Sequence, residues 1–290
     1  VQRPAPFSER TTLPMDLAPA INAAAKDGQR VLVIWGRNAP EQTQRLWTVV
    51  QTPDMQRALA IDYRVVWVNV AEGPSAEGNL ALTVPFGAKI TPQAEHAWLT
   101  VLDDQGQVVA QSDARELLDA RRPGQYSPLK LQDFLLQHRA VQPTAREALD
   151  GALAKARERN VGALVRFVDH GDAWAEKFEA FLARPEVAKI IERICVTTRL
   201  HGQRNEGAFD LLESTIPRGQ GFPLYALFGP DGSVLARSQP EGGRNIGFPT
   251  TPSEIQAFLD LLDAGPGKLT EAERGELTAL LKANAAGAGR

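Results

Sequence analysis

Cysteine is almost absent from this chain: Cys195 is the one example in 290 residues. A single thiol excludes an internal disulfide framework, a thiolate zinc cluster and an iron–sulfur site, and it leaves the redox compartment unmarked. Histidine is nearly as scarce. The four histidines include no pair at i, i+4, so neither a metal site nor any other cofactor is expected. Long apolar runs are missing too, none approaching the ~18 residues that cross a bilayer, so no membrane span is expected. No one sign of charge dominates. Thirty-two basic residues oppose 35 acidic ones for a net charge of −3, without the basic stripe that would suggest nucleic acid. The sequence opens on Val1-Gln-Arg-Pro-Ala-Pro6, with no initiator methionine and no apolar signal core. A proline-rich start of this kind resembles the stretch after a cleaved signal, and the expected location is periplasmic or secreted.

What is present is an ordinary globular composition, 43% apolar and 23% charged, in a length that suggests two domains, each able to bury a core. The chain also carries an internal repeat. In the first copy a strand at Val31–Trp35 is followed by a polar turn. Next come a helix with Leu46, Val49 and Val50 at i, i+3, i+4, and then Pro53-Asp-Met-Gln-Arg-Ala-Leu59. The second copy has a strand at Ala163–Val168, a polar turn, a helix with Phe178, Phe181 and Leu182 at the same spacing, and Pro185-Glu-Val-Ala-Lys-Ile-Ile191. The two prolines are 185 − 53 = 132 positions apart.

Buried strands follow at Tyr63–Val70 and Ile194–Leu200, then a polar, partly helical stretch in each copy. A hairpin comes next. Trp98–Leu102 turns through Asp103-Asp-Gln-Gly106, and Leu224–Phe228 turns through Gly229-Pro-Asp-Gly232. Each turn ends on a glycine where the backbone needs positive φ. Each copy closes with a helix in which a hydroxyl N-cap precedes proline, Ser127-Pro128 and Thr251-Pro252. Thr251 and Glu254 also have capping-box spacing. Ala-rich helices at Asp16–Lys26 and Thr144–Arg159 precede the copies, and the copies meet near Val141-Gln-Pro143. The order in each copy is helix, strand, helix, strand, helix, strand, strand, helix. A β-α-β unit followed by a hairpin gives an α/β fold, a mixed sheet with helices on both faces. The expected divisions are an arm at 1–19, domains at 20–142 and 143–264, and a helical appendage at 265–290. Its helix spans Thr270–Asn284 and its Ala/Gly end frays.

These features resemble the thioredoxin fold, most closely the exported thioredoxin-like proteins whose first strand runs into a Trp-Cys-x-x-Cys turn. The resemblance covers both copies and is most specific at Gly221-Phe-Pro-Leu-Tyr-Ala-Leu-Phe-Gly-Pro-Asp-Gly232. It implies two thioredoxin-like domains in tandem. It further implies that Pro223 takes the place of the family's cis-proline, so that Phe222–Pro223 is cis. The family's dithiol lies at the N-terminus of the helix after the first strand, where helix N–H groups and the macrodipole favour a thiolate. Aligned on that helix, Cys-x-x-Cys becomes Pro40-Glu41-Gln42-Thr43 in the first copy and Ala173-Trp174-Ala175-Glu176 in the second. All four sulfurs are lost, at Pro40, Thr43, Ala173 and Glu176. The first copy also has Ala97, after His96, where the cis-proline belongs. Without a thiolate no mixed disulfide forms and thiol–disulfide exchange is unavailable.

Cys195 lies in an alternating apolar strand and reads as a buried, inert small hydrophobe. Asp169-His170-Gly171-Asp172 lies in the second copy's ancestral active-site loop. Its plain reading is a helix cap at Asp172, with Glu176 favoured near the positive helix end. Asn38, ahead of Ala39-Pro40-Glu41, reads the same way, as an N-cap. Gly242–Gly247 reads as the loop between the last strand and the closing helix. Trp35, Trp67 and Trp98 fall in strands, where burial is the default. Trp174 falls in the altered dithiol turn, either exposed or packed on its own loop. The resemblance implies a non-catalytic binder: an adaptor, chaperone or assembly factor holding another protein or an extended peptide. The contacts expected from it are Pro40, Glu41, Gln42, Thr43, His96, Ala97, Trp174, Phe222 and Pro223. A self-associating scaffold and a residual thiol-dependent oxidoreductase are the alternatives, and the oligomeric state is left open.

Overall fold

The computed structural model describes residues 6–169, 172–240 and 243–287. The chain forms two compact units, Val1–Val141 and Gln142–Arg290. In the first, α1 (Leu13–Asp27) leads into β1 (Arg30–Gly36), α2 (Glu41–Val50), α3 (Pro53–Asp62) and β2 (Tyr63–Asn69). The short α4 (Ala76–Ala81) and α5 (Thr83–Phe86) follow, then the hairpin β3 (Trp98–Leu102) and β4 (Val108–Asp113), and α6 (Pro128–His138). The second unit runs α7 (Ala145–Arg159), β5 (Gly162–Val168), α8 (Ala173–Leu182), α9 (Pro185–Ile194) and β6 (Cys195–His201). It continues with α10 (Ala208–Thr215), β7 (Leu224–Phe228), β8 (Val234–Arg237), α11 (Pro252–Leu262) and α12 (Glu271–Gly287).

Each unit holds one four-stranded mixed sheet, ordered β2-β1-β3-β4 and β6-β5-β7-β8. The crossover strands pair in parallel, Arg30 with Tyr63 and Gly162 with Cys195, while the hairpins are antiparallel to the central strand. Both hairpin ladders shift register at the same step, Val101/Leu102 and Leu227/Phe228. Gly106 and Gly232 take φ of 77° and 88° in the turns. This is the thioredoxin-like arrangement, a crossover, a hairpin and a closing helix on a mixed sheet flanked by helices.

The central strands are buried on both faces, which is why they read as unbroken apolar runs rather than alternating ones. Val31, Val33 and Trp35 face the α1 layer, and Leu32 and Ile34 face α2, α3 and α6. Trp35 satisfies its indole N–H on Thr100 Oγ1 at 3.0 Å. In the second unit Ala163, Val165 and Phe167 face α7 and α10, while Leu164 faces α8, α9, α11 and α12. Each fully buried leucine in these layers contributes roughly 2 kcal/mol. The closing helices are capped as their sequences indicate. Ser127 accepts from the Lys130 N–H, and Thr251 and Glu254 cap each other reciprocally, as do Thr144 and Glu147 before α7.

Several expectations change. The crossover holds two helices in each unit, because Pro53 and Pro185 start a new helix where their missing N–H costs nothing. Ile194 ends α9 rather than opening β6. Helix α1 begins at Leu13, three residues before Asp16, with Pro14 tolerated in its first turn. A boundary at 19/20 therefore cuts a helix. The largest change is at the C-terminal side. Helix α12 is no appendage: Leu277 and Leu281 are fully buried in the layer formed by α8, α9 and α11. Arg193 on α9 also grips Glu273 through both carboxylate oxygens, Nε to Oε1 at 2.7 Å. The Ala/Gly end, expected to fray, is helical as far as Gly287, and residues 288–290 lie outside the described residues. Trp35 is buried as expected, whereas Trp67 and Trp98 are half-buried.

Candidate functional site

Strand β5 delivers the chain to the start of α8, where the resemblance puts a dithiol. Arg166 on that strand reaches across to Glu179 on α8, Nη1 to Oε2 at 2.6 Å, and ties helix to sheet. Asp172 is the N-cap, as its position indicates. Its Oδ1 accepts from the N–H groups of Trp174 (3.0 Å) and Ala175 (2.8 Å). The donors that would favour a thiolate in this turn are thus taken by a carboxylate of the chain itself. His170 and Gly171, from the loop ahead of this cap, lie outside the described residues. Among the described residues, no group of three or more His, Cys, Asp or Glu side chains is placed to hold a metal ion.

Beyond the cap, Ala173, Trp174 and Glu176 are exposed. Trp174 is 46% exposed. Its ring leans on Phe248 (centroids 6.5 Å apart), and Lys177 Nζ stands 4.6 Å from the ring centroid. Phe248 itself is buried with Phe178 and Phe181, so the indole rests on a buried aromatic base. Both sequence readings of Trp174 thus hold in part, since one side packs on the unit's own loop and the other faces out.

The Phe222–Pro223 bond is cis, as the resemblance implies, but Pro223 is buried. The 243–250 loop covers this edge. Asn245 Nδ2 donates to the carbonyls of Gly221 (3.0 Å) and Pro223 (3.1 Å), while the Tyr225 hydroxyl donates to the Gly247 carbonyl at 3.0 Å. Gly242, at the start of that loop, is outside the described residues. Phe222 is half-buried and packs into the opposite layer, with Ile216 and Leu224. The structure therefore joins Trp174 to Phe248 and Lys177, and sets Phe222 on the other side of the sheet end. No sequence signal identified Phe248 or Asn245, since both act through a loop that lacks periodicity.

In the first unit the corresponding turn is closed. Pro40 and Thr43 are buried, and so is Ala97. Glu41 is exposed and pairs with Arg45 at 2.6 Å. Gln42 is half-buried beside Gly124. Arg45 also donates to the Gly124 carbonyl at 2.5 Å, which holds the 119–126 loop against α2. His96 is half-buried, its Nδ1 3.0 Å from the Tyr126 hydroxyl. Burial lowers its pKa below the ordinary histidine value, although Asp113 nearby acts in the opposite direction. Of the residues named for this copy, Pro40, Thr43 and Ala97 are thus covered, while Glu41 is exposed and Gln42 and His96 are half-buried. Asn38 is not the cap of α2. Pro40 is the N-cap and makes no side-chain bond, whereas Asn38 binds the backbone of Phe7. The two quartets compared by sequence are also one residue out of step, because α2 starts at Glu41 and α8 at Ala173. Pro40 therefore corresponds to Asp172.

Cys195 is buried at the start of β6, its Sγ 3.4 Å from the Ile191 carbonyl. Burial pushes its thiol up to about 12, against the smaller opposing pull of Arg166 and Arg159. No described helix is long and apolar enough to cross a membrane.

No family model matches the chain, and no curated protein does. Solved structures do. A disulphide isomerase from Xylella fastidiosa Temecula1 is similar at 20% identity, over 47% of this chain and 98% of that one, with a TM-score of 0.39. A thioredoxin from Thermus thermophilus matches at 17% identity over 35% of this chain and 79% of its own, TM-score 0.27. Human ERp44 matches at 10% identity over 78% of this chain and half of its own, TM-score 0.29.

Proposed function

We propose that this chain is a duplicated thioredoxin-like unit that binds polypeptide without thiol chemistry. Support for duplication comes from spacing: α7, β5, α8, α9 and β6 each begin 132 residues after α1, β1, α2, α3 and β2. Support for lost exchange comes from the single thiol, which is buried and hard to ionise. The observation that carries the binding reading is Trp174, an exposed aromatic on the first turn of α8, backed by Phe248 and flanked by Lys177. A rigid, half-exposed indole with a polar handle has the properties of a contact anchor. Because Asn245 occupies the carbonyls on either side of Phe222, binding here is led by side chains rather than by strand pairing.

The test is capture of a reduced, alkylated and permanently unfolded protein on immobilised full-length chain. Trp174→Ala is expected to weaken capture about tenfold with the thermal transition retained. Capture that is equal in the two proteins removes the reading. An insulin-reduction assay with dithiothreitol addresses the enzymatic alternative. Background turnover is expected, and turnover well above it would restore an oxidoreductase.

A further inference from the structure

The N-terminal segment of the first unit is held in the manner of a bound peptide. Phe7 is 1% exposed. Its ring stands edge-on to Trp67 with centroids 5.2 Å apart, and Trp67 meets Trp47 at 5.1 Å. The ring tip fills space that Gly36 leaves open, for a Cβ there would lie 2.6 Å from Phe7 Cζ. One side chain grips both backbone groups of the residue. The Phe7 N–H donates to Asn38 Oδ1 at 3.1 Å, and Asn38 Nδ2 donates to the Phe7 carbonyl at 2.8 Å. A primary amide used this way reproduces the paired donor and acceptor of a strand edge. Asn38 is itself fixed. Its N–H donates to Glu72 Oε2 at 3.3 Å and its carbonyl accepts from Gln44 Nε2 at 2.8 Å. After Phe7 the chain turns on Ser8 Oγ, which accepts from the N–H groups of Arg10 and Thr11. Ser8, Glu9 and Arg10 are exposed overall, and between Phe7 and Thr11 the chain touches down through Glu9, which lies close against Gly73, where a Cβ would stand 2.6 Å from the Glu9 carbonyl oxygen.

Phe7 belongs to the apolar layer of Leu32, Ile34 and Leu46, but the entry to α1 is anchored separately from it. Asn79 binds the Thr11 carbonyl and the Leu13 N–H at the entry to α1. The second unit satisfies the same two groups ahead of α7, with Asn205 on the Pro143 carbonyl and the Glu206 carbonyl on the Ala145 N–H. That half of the docking is therefore a general way to start the first helix. Among the described residues of the second unit the Phe7 half has no counterpart. At the 132-residue spacing Gly36 corresponds to Val168, a buried residue of β5 that carries its own side chain there, and Phe7 corresponds to Arg139. Shortly beyond it, Val141 is 93% exposed. The first unit thus has a glycine-floored aromatic pocket with an amide clamp at its rim, and the second unit fills the same strand end from within.

We infer that the pocket formed by Gly36, Asn38 and Trp67 is a peptide-recognition site, and that residues 7–11 of this chain occupy it in cis as an exchangeable plug. Its ligand is a short segment that presents one aromatic side chain and whose backbone N–H and carbonyl at that residue remain free for Asn38. This deepens the polypeptide-binding reading, and it rests on it. The site lies in the other unit, however, so Trp174 variants test one and Phe7 variants the other.

The probe is a fluorescently labelled peptide of sequence Pro-Phe-Ser-Glu-Arg-Thr-Thr-Leu, residues 6–13, titrated against full-length protein by polarisation. Phe7→Ala, which empties the pocket and leaves the segment attached, is expected to bind it at least tenfold more tightly than the unaltered chain. A peptide with alanine in place of phenylalanine is expected not to bind. Adding Gly36→Val, the side chain the second unit has at this position, is expected to abolish binding. Equal affinity of Phe7→Ala and the unaltered chain overturns the inference, and so does unchanged affinity after Gly36→Val. If Phe7→Ala lacks a cooperative thermal transition, amide exchange in the unaltered chain decides. The Phe7 amide exchanging well ahead of the β1–β3 ladder supports an exchangeable plug, and exchange only together with the ladder makes Phe7 a fixed part of the core and overturns it.

Discussion

Replacing Leu281 with alanine should expose a thiol that lies on another element of the same buried cluster. Leu281 is fully buried on α12, within the cluster that contains Ile190, Ile191, Ile194 and Cys195. Cutting a buried leucine to alanine removes its transfer energy and leaves a cavity, together about 3 kcal/mol. Cys195 is inaccessible and its thiol is pushed up to about 12, so a disulfide reagent at mildly alkaline pH reaches it through opening of the second unit. When reclosing outpaces labelling, the rate follows the open population. At 1.4 kcal/mol per tenfold, a loss of about 3 kcal/mol raises the labelling rate roughly 100-fold. The assay is the absorbance of released thiolate under native conditions, for the unaltered chain, Leu281→Ala and the control Lys282→Ala on the exposed side of the helix. The control should leave the rate where it was. An acceleration of less than about fivefold for Leu281→Ala would refute the reasoning. Either α12 is not part of the cooperative core, or the thiol is reached by a local fluctuation.

Asp172→Ala removes the cap from two N–H groups of α8 and should cost the second unit about 1 kcal/mol, measured as a lowered urea midpoint followed through Trp174 fluorescence. Glu273 is held down to about 2, mainly by its hydrogen bonds to Arg193 and secondarily by the Thr270 cap. A carboxylate depressed in the folded state stabilises fully above its unfolded value near 4.5 and loses that contribution as the pH falls toward 2. Glu273→Gln should therefore lower the urea midpoint at about pH 6 and lower it little at about pH 2; a gap that stays constant over this range would assign the effect to packing.

How much of this could be read in advance depends on the range of the interaction. The repeat, the strands and the caps of Ser127, Asp172 and Thr251 are local patterns. A two- or 3.6-residue period decides which side of an element is buried, and a cap acts over three positions. The absence of a Cys-x-x-Cys pair was equally legible, because folding cannot supply a second cysteine to a chain that has one. What the sequence could not decide were partners set by long closure. Asn38 has the composition of a cap, yet Phe7, 31 positions earlier, takes its amide. Glu273 looks like a helix-start acid, yet Arg193 holds it from 80 positions away. The last helix shows a weak periodicity, and only the apolar face left open by α9 and α11 makes it part of the core. Local order thus fixed the two α/β units and their capped helices. Burial of Pro40, Thr43 and Pro223, exposure of Trp174 and insertion of Phe7 were decided by which loops and side chains folding brought against each sheet end.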